Sequence, residues 1–426
     1  MTTEALVAPS RARSRWMQFA AVTGPGIVVM LADTDAGSVI TAAQSGAQWG
    51  YRLLLLQLVL VPVLFIVQEL TIRLGIVSGK GHGELIQQHF GRAWALVSVG
   101  TLLLACIGAL LSELSGLAGV GALFGVPKLA TMAVVVGGLL AMVYSGSYHS
   151  VERVALGIGL FELIFLVVAW HAHPAPAAML SGALAIPWTD HGYLYLVAAN
   201  IGAVIMPWMV FYQQSAVVEK KLTLGDLRAA RWDTAFGALV TQLIMAAVLV
   251  TTAATLGANV SSSSGISGST GAELNTVEQI AQAITPLLGA GIGKLLFALG
   301  MTGAALVATI VVTLTAARSV GELLGAKHSL AHSPREAPWF YGTYTASLVL
   351  GALLVVSGVN LVSLSVGVQV MNALLLPVVL GFLYLLARRL PEAHRLKGSY
   401  AAVVAIIILV SAGFGVYSAL SGIIAP

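Results

Sequence analysis

Two aspartates, two residues apart, interrupt an apolar run near the start of the chain: Gly24-Pro25-Gly26-Ile27-Val28-Val29-Met30-Leu31-Ala32-Asp33-Thr34-Asp35-Ala36-Gly37-Ser38. At the centre of a lipid-exposed helix each acid would cost about 2.5–3.5 kcal/mol on insertion scales, so neither can face lipid uncompensated. Asp, Gly and Ser also favour turns and caps over helix interiors. The helix is therefore expected to break between Asp33 and Ser38, with Gly37 at the break. A break inside a membrane frees backbone carbonyls and brings two helix ends to one place. Carboxylates and carbonyls together make a hard-oxygen site suited to a cation. The alternative is a polar pair bonded to a neighbouring helix. The tendency of intramembrane acids to be functional favours the cation site.

A second interruption reads Asn200-Ile201-Gly202-Ala203-Val204-Ile205-Met206-Pro207-Trp208-Met209. Proline at mid-span removes a hydrogen bond and kinks or breaks the helix. Alone, Pro207 is as readily an ordinary kink, because membrane helices tolerate proline. Paired with the first break, it gives corresponding discontinuities in two halves, the strongest sequence pointer to a carrier's binding site. Thioether sulfur at Met206 would favour softer ions, although methionine is more often core packing.

The elements that must hold these residues are membrane helices. Of 426 residues, 58% are hydrophobic and only 9% charged, against roughly a quarter charged in soluble domains. Eleven apolar runs near 18–45, 52–77, 94–123, 128–147, 152–172, 192–218, 232–257, 285–316, 341–357, 361–387 and 399–422 are expected to span a bilayer at about 20 residues each. With that count, 18 of the 21 Lys and Arg fall on one side, and only Arg52, Lys128 and Lys294 on the other. This positive-inside bias puts the N-terminus in the cytoplasm and the C-terminus outside a bacterial-type inner or plasma membrane. It also reads the net charge of +4 as topology, not nucleic-acid binding. Residues 1–17 form a cytoplasmic tail with no evident signal peptide, and 18–426 a single transmembrane domain. The Ser/Gly-rich stretch from Gly257 to Thr276 is a linker, and the segment from His171 to Tyr193 a Pro- and Ala-rich loop. Cys106 is alone, so it makes no intrachain disulfide and no cysteine metal cluster. No nucleotide-binding motif and no nucleophile–base or His-Glu-x-x-His constellation is present, which argues against an ATP-driven pump and against an enzyme. No cofactor and no nucleic-acid or nucleotide partner is expected.

These residues resemble the Nramp family of divalent metal transporters, in particular its Nramp-related branch. Gly24-Pro25-Gly26 matches the family's opening, and Asp35-Ala36-Gly37-Ser38 stands where the family has Asp-Pro-Gly-Asn. Thr41, Gln44, Gly46-Ala47-Gln48 and Gly50-Tyr51 follow without a gap. Gln68-Glu69-Leu70 and the run from Arg73 to Lys80 match the end of the second span, and Ala203 to Pro207 the family's Ala-x-x-Met-Pro-His. The resemblance covers nearly the whole chain. It implies an all-α polytopic protein of leucine-transporter-like fold, with an inverted five-plus-five repeat (about 18–172 and 192–387), broken first and sixth spans, and an extra helix near 399–422. It implies divalent metal as substrate, with Asp35 as carboxylate ligand, Ser38 in place of the family's asparagine, a carbonyl from Ala203, the thioether of Met206, and Gln369 joining from the tenth span. Asn372 is accessory, or with Gln369 interhelical glue. A monomer is expected.

The departures bear on coupling. Trp208 replaces the family's histidine. Glu113 stands at the first acid of the third span, but Gly116 at the second. The ninth span, around 340–347, lacks the arginines that partner them. A proton relay needs titratable groups in sequence, so proton coupling is expected to be weak or absent. The Nramp-related branch carries Mg²⁺ as well as Mn²⁺. Losing the asparagine and adding Asp33 would admit an ion that keeps part of its water shell, as Mg²⁺ prefers. Met206 pulls the other way, and the balance is read as Mg²⁺/Mn²⁺ breadth, possession of Fe²⁺ transport staying open. The alternatives are a proton-coupled Mn²⁺/Fe²⁺ symporter, and an amino-acid or organic-cation carrier of the same fold, which two aspartates at the break oppose electrostatically. Glu69 and Glu162 are expected to line a vestibule or pair with a basic residue near the cytoplasmic face. His82 is expected in a cytoplasmic loop, and His171 and His173 in an outer one.

Overall fold

Backbone amides and carbonyls in hydrocarbon have no water to bond, so a spanning apolar segment must satisfy them within itself as a helix. The computed structural model describes residues 24–145, 148–256, 274–284, 290–358 and 360–424, and every regular element among them is helical. The tail 1–17 and most of the Ser/Gly-rich linker lie outside the described residues.

The first span is two helices, α1 (Pro25–Asp33) and α2 (Ala36–Trp49). A 3-10 turn leads into α3 (Leu54–Ser78), and a short helix α4 (His82–Phe90) joins α3 to α5 (Arg92–Leu123). After α6 (Lys128–Ser145), the fifth span is α7 (Tyr148–Gly159) and α8 (Ile164–His171), separated by a 3-10 turn at Leu160–Leu163. The Pro/Ala-rich loop expected at 171–193 contains a helix, α9 (Pro176–Leu184), started by proline at its first position, where the missing N–H costs nothing. The sixth span is again broken into α10 (His191–Val204) and α11 (Pro207–Glu219). Then come α12 (Leu227–Thr255), the short α13 (Val277–Ile284), α14 (Ala290–Leu324), α15 (Pro338–Val356), α16 (Leu361–Ala387) and α17 (Gly398–Ile424). Ten stretches are long and apolar enough to cross a membrane, and one of them, Ala36–Ser78, joins the outer half of the first span to the second. Among the described residues these stretches, with α1 completing the first span, stand at the expected positions. α12 begins at Leu227, a few residues before the span start expected near 232.

The broken spans are central. The apolar window of the sixth span is 94% buried, against 33% for α17 and 17% for α6. α1 and α2 pack on α12, α2 also on α10 and α16, and α10 lies between α16 and α17. Large apolar side chains such as Val134 and Leu409 point outward, as a lipid-facing surface requires. Inside, Asn200 of α10 ties three spans together: it accepts from Gln57 Nε2 at 2.6 Å and donates to Ser45 Oγ at 2.8 Å.

At the basic end, Glu69 is paired with both Arg73 and Arg231, as a basic partner for it was expected. His82 departs from expectation. It is not in a solvated loop but at the first position of α4, fully buried, because α4 folds back on α5 and α14. Its Nδ1 lies 2.9 Å from Gln214 Oε1 and its ring meets Phe211 edge-on. Gln214 Nε2 donates to Lys80 O at 2.9 Å, so Gln214 Oε1 is the acceptor and His82 Nδ1 carries the proton. Burial holds the imidazole down at a pKa of about 4. The unfolded chain therefore takes up a proton near pH 6.5 that the folded chain refuses until about pH 4. Stability is unaffected above pH 6.5 and falls as pH drops through that window, by up to roughly 3 kcal/mol. Thermal melts in detergent at pH 7.5 and 4.5 are expected to show a smaller acid-induced drop for His82→Gln than for the unaltered chain.

Candidate cation site at the two helix breaks

The first break is built by a capping aspartate. α1 ends at Asp33, Thr34 turns the chain, and Asp35 adopts extended backbone (φ −71°, ψ 171°) as the N-cap of α2. Its Oδ1 accepts from Ser38 N–H at 2.6 Å. The adjoining amide, Ala36 N–H, donates to Glu113 Oε2 on α5 at 2.9 Å. Two carboxylates thus answer the exposed amides at the positive end of α2. The end of α1 is held by Thr241, whose hydroxyl donates to Met30 O.

The second break is held by proline. Ile205 and Met206 leave the helical region, and Pro207 starts α11. Ser38 Oγ donates to Ala203 O at 3.1 Å, bridging the two breaks across 165 residues of sequence. Gly202 lets α16 approach: a Cβ there would lie 2.8 Å from Ala373 N and closer still to Gln369 O. Gly37 has a similar role, since a Cβ on it would lie 2.6 Å from Ser112 Oγ and 3.4 Å from Asp35 Oδ1, and would collide with Gln369 Nε2. Gln369 Oε1 accepts from Asn372 Nδ2 at 2.9 Å.

The structure therefore brings Asp35, Gly37, Ser38, Ala203, Glu113 and Gln369 together, with Asn372 bonded to Gln369. Met206 and Trp208 are also fully buried, but Trp208 Nε1 donates to the Met206 sulfur at 3.1 Å. Asp33 is 1% exposed. Several buried polar atoms here have no hydrogen-bond partner among the described residues: both oxygens of Asp33, Asp35 Oδ2, Glu113 Oε1 and Gln369 Nε2. Unsatisfied oxygens of this kind are costly unless a ligand completes them. Among the described residues no three His, Cys, Asp or Glu stand at spacing that would hold a metal directly. The donor set suited to a metal here is mixed: carboxylate, hydroxyl, carbonyl and amide oxygens.

One residue of this region, Ser112, is not singled out as a site residue by the sequence. Ser112 meets Gly37, as above. Glu162, expected to line a vestibule or to pair with a basic residue near the cytoplasmic face, lies fully buried and makes no ion pair among the described residues; Thr34, Asp35 and Asp33 are its polar surroundings. An acid at mid-span was the available signal. The departure at Gly116 has a steric correlate. A Cβ at 116 would lie 2.5 Å from the Cβ of Ala36, so a larger residue at 116 meets the first turn of α2. α15 carries no charged side chain, and its inward-facing Tyr344 is buried.

The amide-rich start of α1 is fixed at a distance. Asp233 of α12 accepts from Gly24 N–H at 3.3 Å and from Gly26 N–H at 2.8 Å. Removing such a cap costs about 1 kcal/mol, or roughly a fivefold change in the opening equilibrium. Asp233→Ala is expected to speed amide hydrogen exchange across 25–33 by about that factor, while Asp233→Asn, which keeps an acceptor oxygen, leaves it near the original rate.

A membrane-embedded bundle with its first and sixth spans broken and joined face to face has the leucine-transporter-like architecture of membrane transporters. The family model "Natural resistance-associated macrophage protein-like" (Nramp) matches residues 26–421, and the chain belongs to that family. A divalent metal cation transporter, MntH, of Xanthomonas campestris is 28% identical over 314 residues, 70% of this chain and 68% of that protein. MntH of Staphylococcus aureus is 30% identical over 213 residues, 48% of this chain and 47% of that one. The Eremococcus coleocola manganese transporter superposes with a TM-score of 0.80 at 19% identity, covering 98% of this chain and 90% of the other. MhsT in complex with L-phenylalanine superposes with a TM-score of 0.57 at 14% identity, covering 96% of this chain and 98% of the other, which places the fold in the wider architecture. The family's members are transporters, not enzymes.

Proposed function

We propose that this chain is a secondary or facilitative importer of divalent metal cations, broad across Mn²⁺ and Mg²⁺, with weak or no proton coupling. The observation that carries the reading is the bridge at the breaks. Asp35 keeps one oxygen on Ser38 N–H and one that makes no hydrogen bond among the described residues, and Ser38 in turn meets the Ala203 carbonyl released by the sixth-span break. An ion arriving there is offered a carboxylate, a hydroxyl and a carbonyl, with Gln369 alongside and Met206 one turn on. The end of the molecule opposite the basic residues carries a cavity of about 450 Å³, lined by Gln44, Gln48, Tyr195 and Ser363 among others. Gln44 stands about 9 Å along α2 from Ser38. Entry by this end, binding at Asp35 and rocking of one half against the other would deliver the ion to the basic, cytoplasmic end. A negative-inside potential would add about 2.3 kcal/mol per charge per 100 mV.

Weak coupling is supported by what faces the site. Trp208 occupies the histidine position and bonds Met206, Gly116 packs on Ala36, and α15 offers no basic partner to Glu113. The lead experiment is uptake by purified protein in proteoliposomes, with Mn²⁺ against Mg²⁺ and internal pH recorded. Mg²⁺ entry or competition at flat pH supports the reading. Mn²⁺ entry with lumen acidification and no Mg²⁺ competition would make it a proton-coupled symporter. No response to either ion from folded protein would turn the reading to an organic substrate.

A further inference from the structure

We propose that Glu162 is a further carboxylate of the ion path, and that with Asp33 it holds the water shell of the bound cation instead of the metal itself. The inference rests on the reading that a divalent cation binds at Asp35.

Glu162 is fully buried, neither carboxyl oxygen meets hydrogen-bond geometry with a described group, and the group that comes nearest to bonding it is Thr34 at the first break. No basic side chain there forms an ion pair with it, whereas Glu69 and Glu219, the acids nearer the basic end, each have an arginine. A buried acid without a counter-ion is among the most costly groups a membrane protein can keep, and such groups mark ion paths. Its backbone is unusual as well. The fifth span tightens to a 3-10 turn at Leu160–Leu163, and mid-helix stretches of that kind mark functional irregularities. The turn itself packs on α14, and the helix that leads into it packs on α1, just before the first break. A Cβ on Gly159 would lie 2.7 Å from Leu31 Cδ1. Thr34 and the carboxyls of Asp35 and Asp33 are the groups that act on Glu162.

Four carboxylates, those of Asp33, Asp35, Glu113 and Glu162, therefore lie about one helix break without a basic partner among the described residues, yet no three of them stand at spacing for direct ligation of one metal. A hydrated ion resolves both facts. With metal–water distances of about 2.1 Å for Mg²⁺ and water–carboxylate hydrogen bonds of about 2.7 Å, a carboxylate up to roughly 4–5 Å from the ion still binds it through its water. Mg²⁺ gives up water reluctantly, so it depends most on such outer groups. Mn²⁺ can shed water and rely on Asp35, Ala203 and the thioether.

The test uses the full chain in proteoliposomes and, in detergent, its thermal stabilisation by MgCl2 or MnCl2. Glu162→Gln is expected to raise the KM for Mg²⁺ about tenfold and that for Mn²⁺ less than threefold, with kcat for Mn²⁺ unchanged. Stabilisation by Mg²⁺ should be lost and that by Mn²⁺ kept. Glu162→Asp, which keeps the charge, should hold the Mg²⁺ KM within about threefold. If Glu162→Gln does not fold, Asp33→Asn carries the same expectation. A Mg²⁺-to-Mn²⁺ KM ratio unchanged in the folded neutral variant overturns the inference, as does an equal loss for both ions. Both outcomes leave the binding of a cation at Asp35 standing, provided Asp35→Asn loses both ions. An unaltered protein that carries neither ion overturns the functional reading and this inference with it.

Discussion

Replacing Asp35 by asparagine is expected to cut metal uptake into proteoliposomes by at least about a hundredfold while leaving the protein folded. The two carboxyl oxygens of Asp35 have separate roles. Oδ1 caps α2 through Ser38 N–H, and Oδ2 makes no hydrogen bond among the described residues. Asparagine keeps an oxygen for the cap and removes only the charge. Stripping one member of a buried, charge-compensated pair costs roughly 3–5 kcal/mol, which as binding energy is about two to four decades. Alanine removes the cap as well, at a further cost of about 1 kcal/mol in stability. The two variants should therefore be equally inactive but melt at different temperatures, asparagine above alanine. Activity that survives in the asparagine variant would remove Asp35 from the ion path.

Valine at Gly202 is expected to be worse for the fold than any substitution in the acidic groups. The neighbouring atoms are backbone of α16, Gln369 O and Ala373 N, and cannot rotate away as a side chain can. Overpacking costs about 1–3 kcal/mol when side chains can give, and more when they cannot. Size-exclusion chromatography should show loss of the monodisperse peak, and the fraction that folds should lose transport, because separating α10 from α16 moves both the Ala203 carbonyl and Gln369. Gly202→Ala tests the same contact more gently and should lower the melting temperature measurably. A valine variant with unaltered melting and uptake would show that α10 and α16 do not pack at this distance.

Much of this molecule is legible in its sequence because the bilayer restricts the choices. Apolar length marks the spans, and the asymmetry of Lys and Arg supports their number. Both helix breaks are local chemistry: Asp, Gly and Ser disfavour a helix interior, and Pro207 cannot continue one. What is not legible is which partner a polar residue meets. Nothing near Ser38 in sequence announces Ala203, and nothing near Gly26 announces Asp233. Glu162 was visible as an acid in a span, but its surroundings come from α1, which the apolar pattern of its own helix does not encode. His82 misleads for a different reason. The run Gly79-Lys80-Gly81-His82-Gly83 has the composition of a solvated loop, yet its glycines let it pack against α14, where Cβ atoms on Gly81 or Gly83 would meet the Glu322 carboxylate. Pro176 likewise reads as loop but starts a helix.

The Asp233 clamp at the start of α1 also has a mechanical meaning. Nine residues at 1.5 Å each make α1 a rod about 13 Å long, with its free joint at Thr34 and Asp35. A tilt of about 30° about that joint would move the Gly24 end by roughly 7 Å, while the Met30 carbonyl held by Thr241, close to the pivot, would travel less than half as far. Asp233 grips the lever where its arm is longest. A carboxylate so placed resists the swing with the least force, and releasing two hydrogen bonds there leaves the arm tethered near its pivot by Thr241.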